Sequence, residues 1–433
     1  MEWLPTLTAR PTIQVRFRDW TQDRNVPTLG TNAGAVKLPF QTWHRFKEAF
    51  APELIDRAVA ESPIPVRHLL DPFGGSGTSA LSAQFLGVPS TSIEVNPFLA
   101  DVIAAKATHY DSAALVRDLG RIIKRARRRQ GSLDRYGACP PTFIEPGHKD
   151  RYLFNLKVAR RLSSLQEGIE GLELPAHRRL FKVLLGGILA GASNAVVSGK
   201  GRRYRCGWQE RIVDAGVVTA TFVESASRAI TEIHAHSRRS DAVARVINAD
   251  ARSAIDGIEP ASLAVFSPPY PNSFDYTDVY NLELWMLGYL GMGADNQRLR
   301  HATLTSHVQI KRDFAPAPSG SQRLVRALNR LRATRDALWS PWIPEMVGAY
   351  FADMGQVLSG CARRLSSGGQ VWMVVGDSQY AGIPIAVDKI LMDLAPQWGL
   401  QPMSREPFRS MRVSAQQGGR DELAETLVIL ARP

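Results

Sequence analysis

Between Val66 and Val88 the sequence reads VRHLLDPFGGSGTSALSAQFLGV: a short apolar run, a carboxylate, a turn containing three glycines, then an apolar stretch at helical spacing. Few folds accommodate that order. Val66 to Leu70 suits a buried strand, Asp71 to Gly77 a tight turn whose glycines tolerate backbone angles other residues avoid, and Thr78 to Leu86 a helix stopped by Gly87. The next segment, STSIEVNPFLADVIAAKA, repeats the theme with a strand through Ile93, Glu94 at its end and a helix from about Pro97. Strand, glycine turn, helix, strand, acid is the opening of a doubly wound α/β sheet.

The rest of the chain is read around that opening. Residues 1–41 are irregular, with Pro, Thr, Gly and Asn scattered through them, and read as an N-terminal arm. TWHRFKEAFAPELIDRAVAE (42–61) has amphipathic helical spacing, interrupted at Ala51-Pro52, and begins the first half of the α/β domain, 42–111. From 112 to 245 the pattern is mostly helical and strongly basic, including KRARRRQ, KVARRL and SGKGRRYR. Strand logic resumes in ARVINADARSAIDGI, which contains Asp250, and in SLAVFSPPY, and the two are expected to pair as neighbours. GGQVWMVVGDSQY and AETLVILARP supply two more strands, so 246–433 forms the second half of the domain. A further polar interval, 291–345, interrupts that half.

The formal charge of +12 and a pI near 9.8, carried mostly by arginine, suit a polyanionic partner, although a solvated basic surface gives the same totals. No apolar run of about 18 residues and no apolar signal core are present, so a cytoplasmic protein without a membrane span is expected. Cys139, Cys206 and Cys361 lie far apart and lack metal-ligand spacing, so neither a disulfide framework nor a metal site is expected.

Glycines 74, 75 and 77 allow close backbone approach to a ligand, and the helix after them offers free N–H groups. GSGTSA (75–80) satisfies the relaxed GxGxxA form and Glu94 stands where a ribose-binding acid belongs, so a nicotinamide dinucleotide site is open at this point. So is a plain strand-to-helix turn. Asp71 shifts the balance, because a carboxylate at the strand end suits a cationic ligand and opposes a pyrophosphate. S-adenosyl-L-methionine carries an amino group, a sulfonium, a ribose diol and an adenine, and no phosphate. Asp71 for its amino group, Glu94 for its ribose and Asp250 for its adenine amine make a coherent set, though each acid alone also reads as a strand-end or capping residue.

AVFSPPYPN (264–272) begins as a buried strand and stops at two prolines. Proline cannot donate to a sheet and holds its predecessor extended, so Ser267 and Pro268 are fixed, whether as a strand terminator or for chemistry. An exocyclic base amine has its lone pair delocalised into the ring. Two acceptors, Ser267 Oγ and the Pro268 carbonyl, can draw its hydrogens and aim the lone pair at a methyl group, while Tyr270 stacks on a base taken out of the duplex.

DPFGGSGT (71–78) together with SPPY (267–270) resembles the amino-group DNA methyltransferases, which pair a D-P-F-x-G-S-G-T loop with a [DNS]-P-P-[YFW] tetrapeptide. The resemblance covers about 42–108 and 246–433. It implies a Rossmann-like S-adenosylmethionine-dependent methyltransferase sheet with a basic, mostly helical insertion. Asp71, Phe73, Gly74, Gly75, Gly77 and Thr78 would be cofactor positions, with Glu94 and Asp250, and Ser267, Pro268, Pro269 and Tyr270 catalytic ones. The helix at 44–59 would close over the methionine end of the cofactor. Serine at the first tetrapeptide position is similar to the N4-cytosine branch, where the N6-adenine branch usually has Asp or Asn. The order of motifs assigns 112–245 to target recognition, with Lys200, Arg202, Arg203 and Arg205 as candidate DNA contacts and 291–345 as a second candidate region. Double-stranded DNA is the implied partner, with a cognate restriction endonuclease or defence component beside it. RNA or protein amide methylation and a nicotinamide-dependent dehydrogenase are the competing activities, and a non-catalytic DNA-binding protein leaves the cofactor residues idle. C5-cytosine methylation needs a cysteine after a proline, and Cys139-Pro140 has the reverse order.

Overall fold

The computed structural model describes residues 16–32, 34–46, 49–198, 201–412 and 422–433. Helices α1 (Phe17–Thr21) and α2 (Glu53–Ala60) precede β1 (Leu69–Asp71), after which the chain alternates through α3 (Thr78–Leu86), β2 (Ser90–Ile93) and α4 (Pro97–Ala107). A helical block follows: α5 (Ser112–Arg128), α6 (Leu156–Glu170) and α7 (Pro175–Ala192), then the hairpin β3 (Ala195–Ser198) and β4 (Gly201–Tyr204), then α8 (Ala215–Ala235). Alternation resumes with β5 (Ala244–Ile247), α9 (Ala251–Ala254) and β6 (Ala261–Phe266). Helices α10 (Tyr276–Val279), α11 (Asn281–Met286), α12 (Gly293–Ala302), α13 (Gln322–Ala333) and α14 (Ile343–Arg364) then lead to β7 (Leu365–Gly376). The small hairpin of β8 (Ser378–Tyr380) and β9 (Ile383–Ile385), helix α15 (Val387–Leu394), β10 (Gln401–Arg412) and β11 (Glu422–Ala431) complete the order.

Seven strands form one sheet in the order β10, β11, β7, β6, β1, β2, β5. The pairs from β5 to β7 are parallel, and β11 runs antiparallel to both its neighbours. The fold is therefore α/β with a mostly parallel, Rossmann-like sheet. Chain order proceeds outward from β1 through β2 to β5, then returns to the other side of β1 at β6. That reversal puts a topological switch between β1 and β6, the place where open α/β sheets bind ligands at the carboxyl ends of their strands.

Side chains alternate across the sheet as period-two geometry requires. Leu70, Ala264 and Phe266 join the core under α14 and α15, while Leu69, Leu263 and Val265 pack toward α2 and α3. A larger core joins the helical block to residues on both sides of it: Phe17, Trp20, Phe40, Phe85 and Phe98 pack in one cluster with Leu162, Phe181, Phe222 and Trp285. The basic helices thus share their apolar faces with the sheet domain.

Three expectations differ from what is observed. The strands of ARVINAD and SLAVF share the sheet but are not neighbours, since β1 and β2 lie between them; the crossover returning at β6 takes the vacant side of β1. Among the described residues of the stretch 42–61 only Glu53–Ala60 is helical, beginning just after Pro52, which lacks the N–H a preceding helix would use. The described part of the N-terminal stretch is packed: Trp20 is fully buried and stacks on Phe85 with ring centroids 4.7 Å apart, and Phe40 N and Trp43 Nε1 donate to Glu232 at 2.7 and 2.8 Å. Isolated aromatics among polar residues carry no periodicity, so this packing left no signal in the pattern. Among the described residues no helix is long and apolar enough to cross a membrane.

Candidate active site

β1 ends in Asp71 and the chain turns at once. Gly74 N donates to Ile93 O on β2 at 2.9 Å, Gly75 and Gly77 have φ of 50° and 81°, and Gly77 caps the N-terminus of α3. A side chain at Gly74 would place its Cβ 2.6 Å from Ile103 Cδ1, and one at Gly75 would meet the Phe46 ring at 3.0 Å. The loop therefore lies pressed between α4 and Phe46, and only glycine leaves its backbone open to a ligand. Phe46 stacks on Tyr280 with centroids 5.9 Å apart and planes 10° apart, forming an aromatic wall over the loop. From below, buried Lys106 on α4 donates its Nζ to Ser76 O at 2.8 Å, and burial pushes its pKa down to about 7.

Two buried carboxylates border this loop. Asp71 is buried and accepts from Phe73 N at 2.9 Å and from Ser79 Oγ; burial pushes its pKa up to about 6. Glu94, at the end of β2, accepts from Gly75 N and Asn96 N at 2.8 Å each, and burial with the nearby Asp71 charge pushes its pKa up to about 7. Among the described residues neither forms an ion pair. Buried acids with raised pKa values at a cleft are arranged to gain from a cationic ligand. Asp250 differs: it caps α9 through Arg252 N at 2.9 Å and is paired by the Arg252 guanidinium at 2.7 to 3.0 Å, which in turn reaches Asp353.

β6 lies beside β1, so its end brings Ser267 to the same switch point. Ser267 Oγ lies 3.0 Å from Val374 O on β7, an acceptor with no hydrogen to give, so the serine hydrogen is directed there and the oxygen lone pairs are left for another donor. Tyr270 OH lies 3.3 Å from Ser267 Oγ and donates to Glu425 Oε1 at 3.1 Å. Glu425 sits on β11 opposite Gly376, is almost fully buried, and is held by Arg409 of β10 through Nε at 2.6 Å. The loop beyond the tetrapeptide is tied down by Tyr380 OH donating to Pro271 O at 2.9 Å and Ser273 N donating to Ser306 O at 2.9 Å.

One cleft of about 380 Å³ joins these groups. It is bordered by Asp71, Phe73, Gly74, Gly75, Thr78, Glu94 and Asp250 on one side and by Ser267, Pro268, Pro269 and Tyr270 on the other. Gly77 does not border it; its place is in the turn, against Ile103. Phe46, Tyr280, Arg409 and Glu425 also line the cleft and were not singled out from sequence. Phe46 lay within a presumed helix, and β10, with two prolines and alternating charges, gave no strand signal.

The four candidate DNA contacts divide. Lys200 lies outside the described residues. Arg202 is half-buried with its guanidinium 5.0 Å from the Phe143 ring centroid, and burial lowers its pKa against the pull of Asp278. Arg205 donates to Ala190 O at 3.0 Å and Ser193 O at 3.4 Å, closing the end of α7. Arg203 is exposed. The hairpin packs against α10, a few residues beyond the tetrapeptide.

No family model matches this chain. It is similar to the type II methyltransferase M.AvaI of Nostoc sp., 25% identical over 433 residues that cover 89% of this chain and 85% of that protein. It is similarly related to the type II methyltransferase M.BsoBI of Geobacillus stearothermophilus, 24% identical over 446 residues covering 90% and 85%. Likenesses to solved structures are slight and bear no weight. TrmN from Thermus thermophilus has a TM-score of 0.29 at 11% identity, covering 91% of this chain and 52% of its own. The rRNA methyltransferase aviRa from Streptomyces viridochromogenes has a TM-score of 0.31 at 12% identity, covering 90% and 88%.

Proposed function

We propose that this chain, a relative of type II methyltransferases, is a site-specific DNA methyltransferase that transfers a methyl group from S-adenosyl-L-methionine to the exocyclic N4 amine of a cytosine drawn out of the duplex. The observation that carries the reading is a single cleft lined both by two buried carboxylates, Asp71 and Glu94, that form no ion pair among the described residues, and by a serine whose hydrogen is engaged by Val374 O.

The donor set fits the cofactor. Asp71 and Glu94 suit its amino group and ribose, the glycine loop and Phe46 confine it, and Asp250, although paired with Arg252, keeps lone pairs for an adenine amine. S-adenosyl-L-methionine supplies an activated methyl group on a sulfonium. A dinucleotide would bring its pyrophosphate against two acids that form no ion pair among the described residues, which disfavours a dehydrogenase.

The chain's own residues supply orientation. Ser267 Oγ and the Pro268 carbonyl accept the two amine hydrogens, drawing nitrogen toward tetrahedral geometry and freeing its lone pair. Pro268 and Pro269 hold both acceptors in place, and the Tyr270 ring, anchored through its hydroxyl, offers a face to the extruded base. Arg203 on the hairpin and the exposed Arg298 and Lys311 in 291–345 serve phosphate positioning. A cognate restriction endonuclease or defence component and a cytoplasmic setting are what this reading implies.

The test is incubation with methyl-labelled S-adenosylmethionine and duplex DNA, RNA or a protein extract, followed by digestion and mass analysis. Label in DNA as N4-methylcytosine is the expected result. N6-methyladenine would move the chain to the adenine branch, and label in RNA or protein alone would overturn the DNA reading.

A further inference from the structure

The cleft contains a carboxylate that binds neither the cofactor loop nor the tetrapeptide backbone. Glu425 faces the cleft, yet it is 3% exposed, and the backbone of Gly30 approaches so closely that a Cβ there would come 2.6 Å from Glu425 Oε2. A buried charge in such a place costs stability unless it is paired, and Arg409 supplies the pairing. Arg409 donates to both carboxylate oxygens, and Oε1 also accepts from the Tyr270 hydroxyl. The phenol oxygen then has lone pairs for the neighbouring Ser267 hydroxyl, 3.3 Å away. A continuous line of oxygens runs from Ser267 Oγ through Tyr270 Oη to Glu425.

Resting on the methyltransferase reading, we propose that Ser267, Tyr270 and Glu425 form a proton relay in which Glu425 is the terminal acceptor for the proton lost by the methylated amine. As the amine nitrogen forms its bond to the methyl carbon, the carbon–sulfur bond breaks and its electron pair remains on sulfur. Nitrogen becomes cationic. One of its protons passes to Ser267 Oγ, the serine hydrogen turns from Val374 O to Tyr270 Oη, and the phenol hydrogen moves to Glu425 Oε1. The sum is a neutral methylated amine, a neutral thioether and a protonated Glu425, which returns its proton to water before the next turnover. The negative charge at the end of the line also offsets the positive charge that grows on nitrogen in the transition state.

The test uses the full chain with duplex DNA and labelled S-adenosylmethionine in single-turnover experiments. Glu425→Gln keeps the shape and an acceptor for Tyr270 but removes the basic charge; it should slow methyl transfer by about tenfold or more with cofactor affinity within about twofold. Tyr270→Phe keeps the ring and breaks the line, and the double variant should be no slower than the slower single one. Glu425→Asp should recover much of the rate. A readout independent of turnover comes from ring-carbon-labelled tyrosine NMR of the ligand-free protein: the resonance lost in Tyr270→Phe should shift in Glu425→Gln and return toward its position in Glu425→Asp. Wild-type rates in Glu425→Gln, additive losses in the double variant, or an unmoved Tyr270 resonance would overturn the relay while leaving the methyltransferase reading intact. No label in DNA with the wild-type chain would overturn both. Should Glu425→Gln fail to fold, as thermal melting would reveal, normal single-turnover rates in Tyr270→Phe would refute the relay alone and a loss of about tenfold would support it.

Discussion

Lowering the pH from 8 to 5 should cost this protein its cofactor affinity while making the ligand-free fold more stable. Asp71 and Glu94 carry pKa values raised to about 6 and about 7 in the free protein, chiefly by burial. A cationic ligand favours their ionised forms, so below those values each acid must release a proton before the ligand binds. At pH 5 that requirement weakens affinity by about a hundredfold through Glu94 and about tenfold through Asp71, or about a thousandfold (~4 kcal/mol) together if both acids stay ionised in the complex. Stability runs the other way. The folded chain holds these protons more tightly than the unfolded chain, so between about pH 4 and 8 it loses stability as pH rises through 6 and 7, by up to about 3 kcal/mol per group. Calorimetric titration of S-adenosylmethionine at several pH values, in buffers of different ionisation enthalpy, reads both the affinity and the protons released on binding. Urea melts of the free protein read the second trend. Affinity that is flat from pH 8 to 5 with no proton release would refute the assignment of these two acids to a cationic ligand.

Ser267→Ala should lower the single-turnover rate by about a hundredfold while cofactor affinity stays within about threefold, measured by rapid quench and calorimetry; equal loss of both would mark the serine as structural. Gly74→Ala drives a methyl group against Ile103 and should destabilise the fold by about 1 to 3 kcal/mol in urea melts as well as weaken cofactor binding. Arg203→Ala should weaken DNA binding uniformly across sequences and lower the salt slope by about one, read by fluorescence anisotropy at several salt concentrations. Arg205→Ala should instead lower stability by about 1 to 2 kcal/mol, because its guanidinium closes the end of α7.

The parts of the site that lie close together in sequence were legible, and the parts assembled by the sheet were not. Asp71 to Thr78 and Ser267 to Tyr270 announce themselves because glycine and proline restrict the backbone in ways that survive any context. Glu94 follows from its place at a strand end. Glu425 and Arg409 reach the same cleft only because β10 and β11 pair across 16 positions and lie beside β7, and neither residue stands in a local pattern. Arg202 and Arg205 each have an engagement that the run of arginines does not announce, one against the Phe143 ring and the other on carbonyls at the end of α7. Neighbour relations between strands are likewise set by packing over long distances, which is why β5 and β6 were paired in expectation and separated in the sheet.

The placement of β11 between β7 and β10 has a consequence for when activity can arise during synthesis. A ribosome that has completed the glycine loop and the tetrapeptide has made most of the cleft, but the flank of β7 is still bare and Glu425 does not yet exist. Residues 422–431 must emerge from the exit tunnel and insert as an interior strand before the cleft gains its far wall. The cleft is therefore complete only once β11 has been added beside β7. Until then the nascent polypeptide presents an open, apolar β7 edge, the kind of surface that chaperones engage and that stalled translation leaves prone to aggregate.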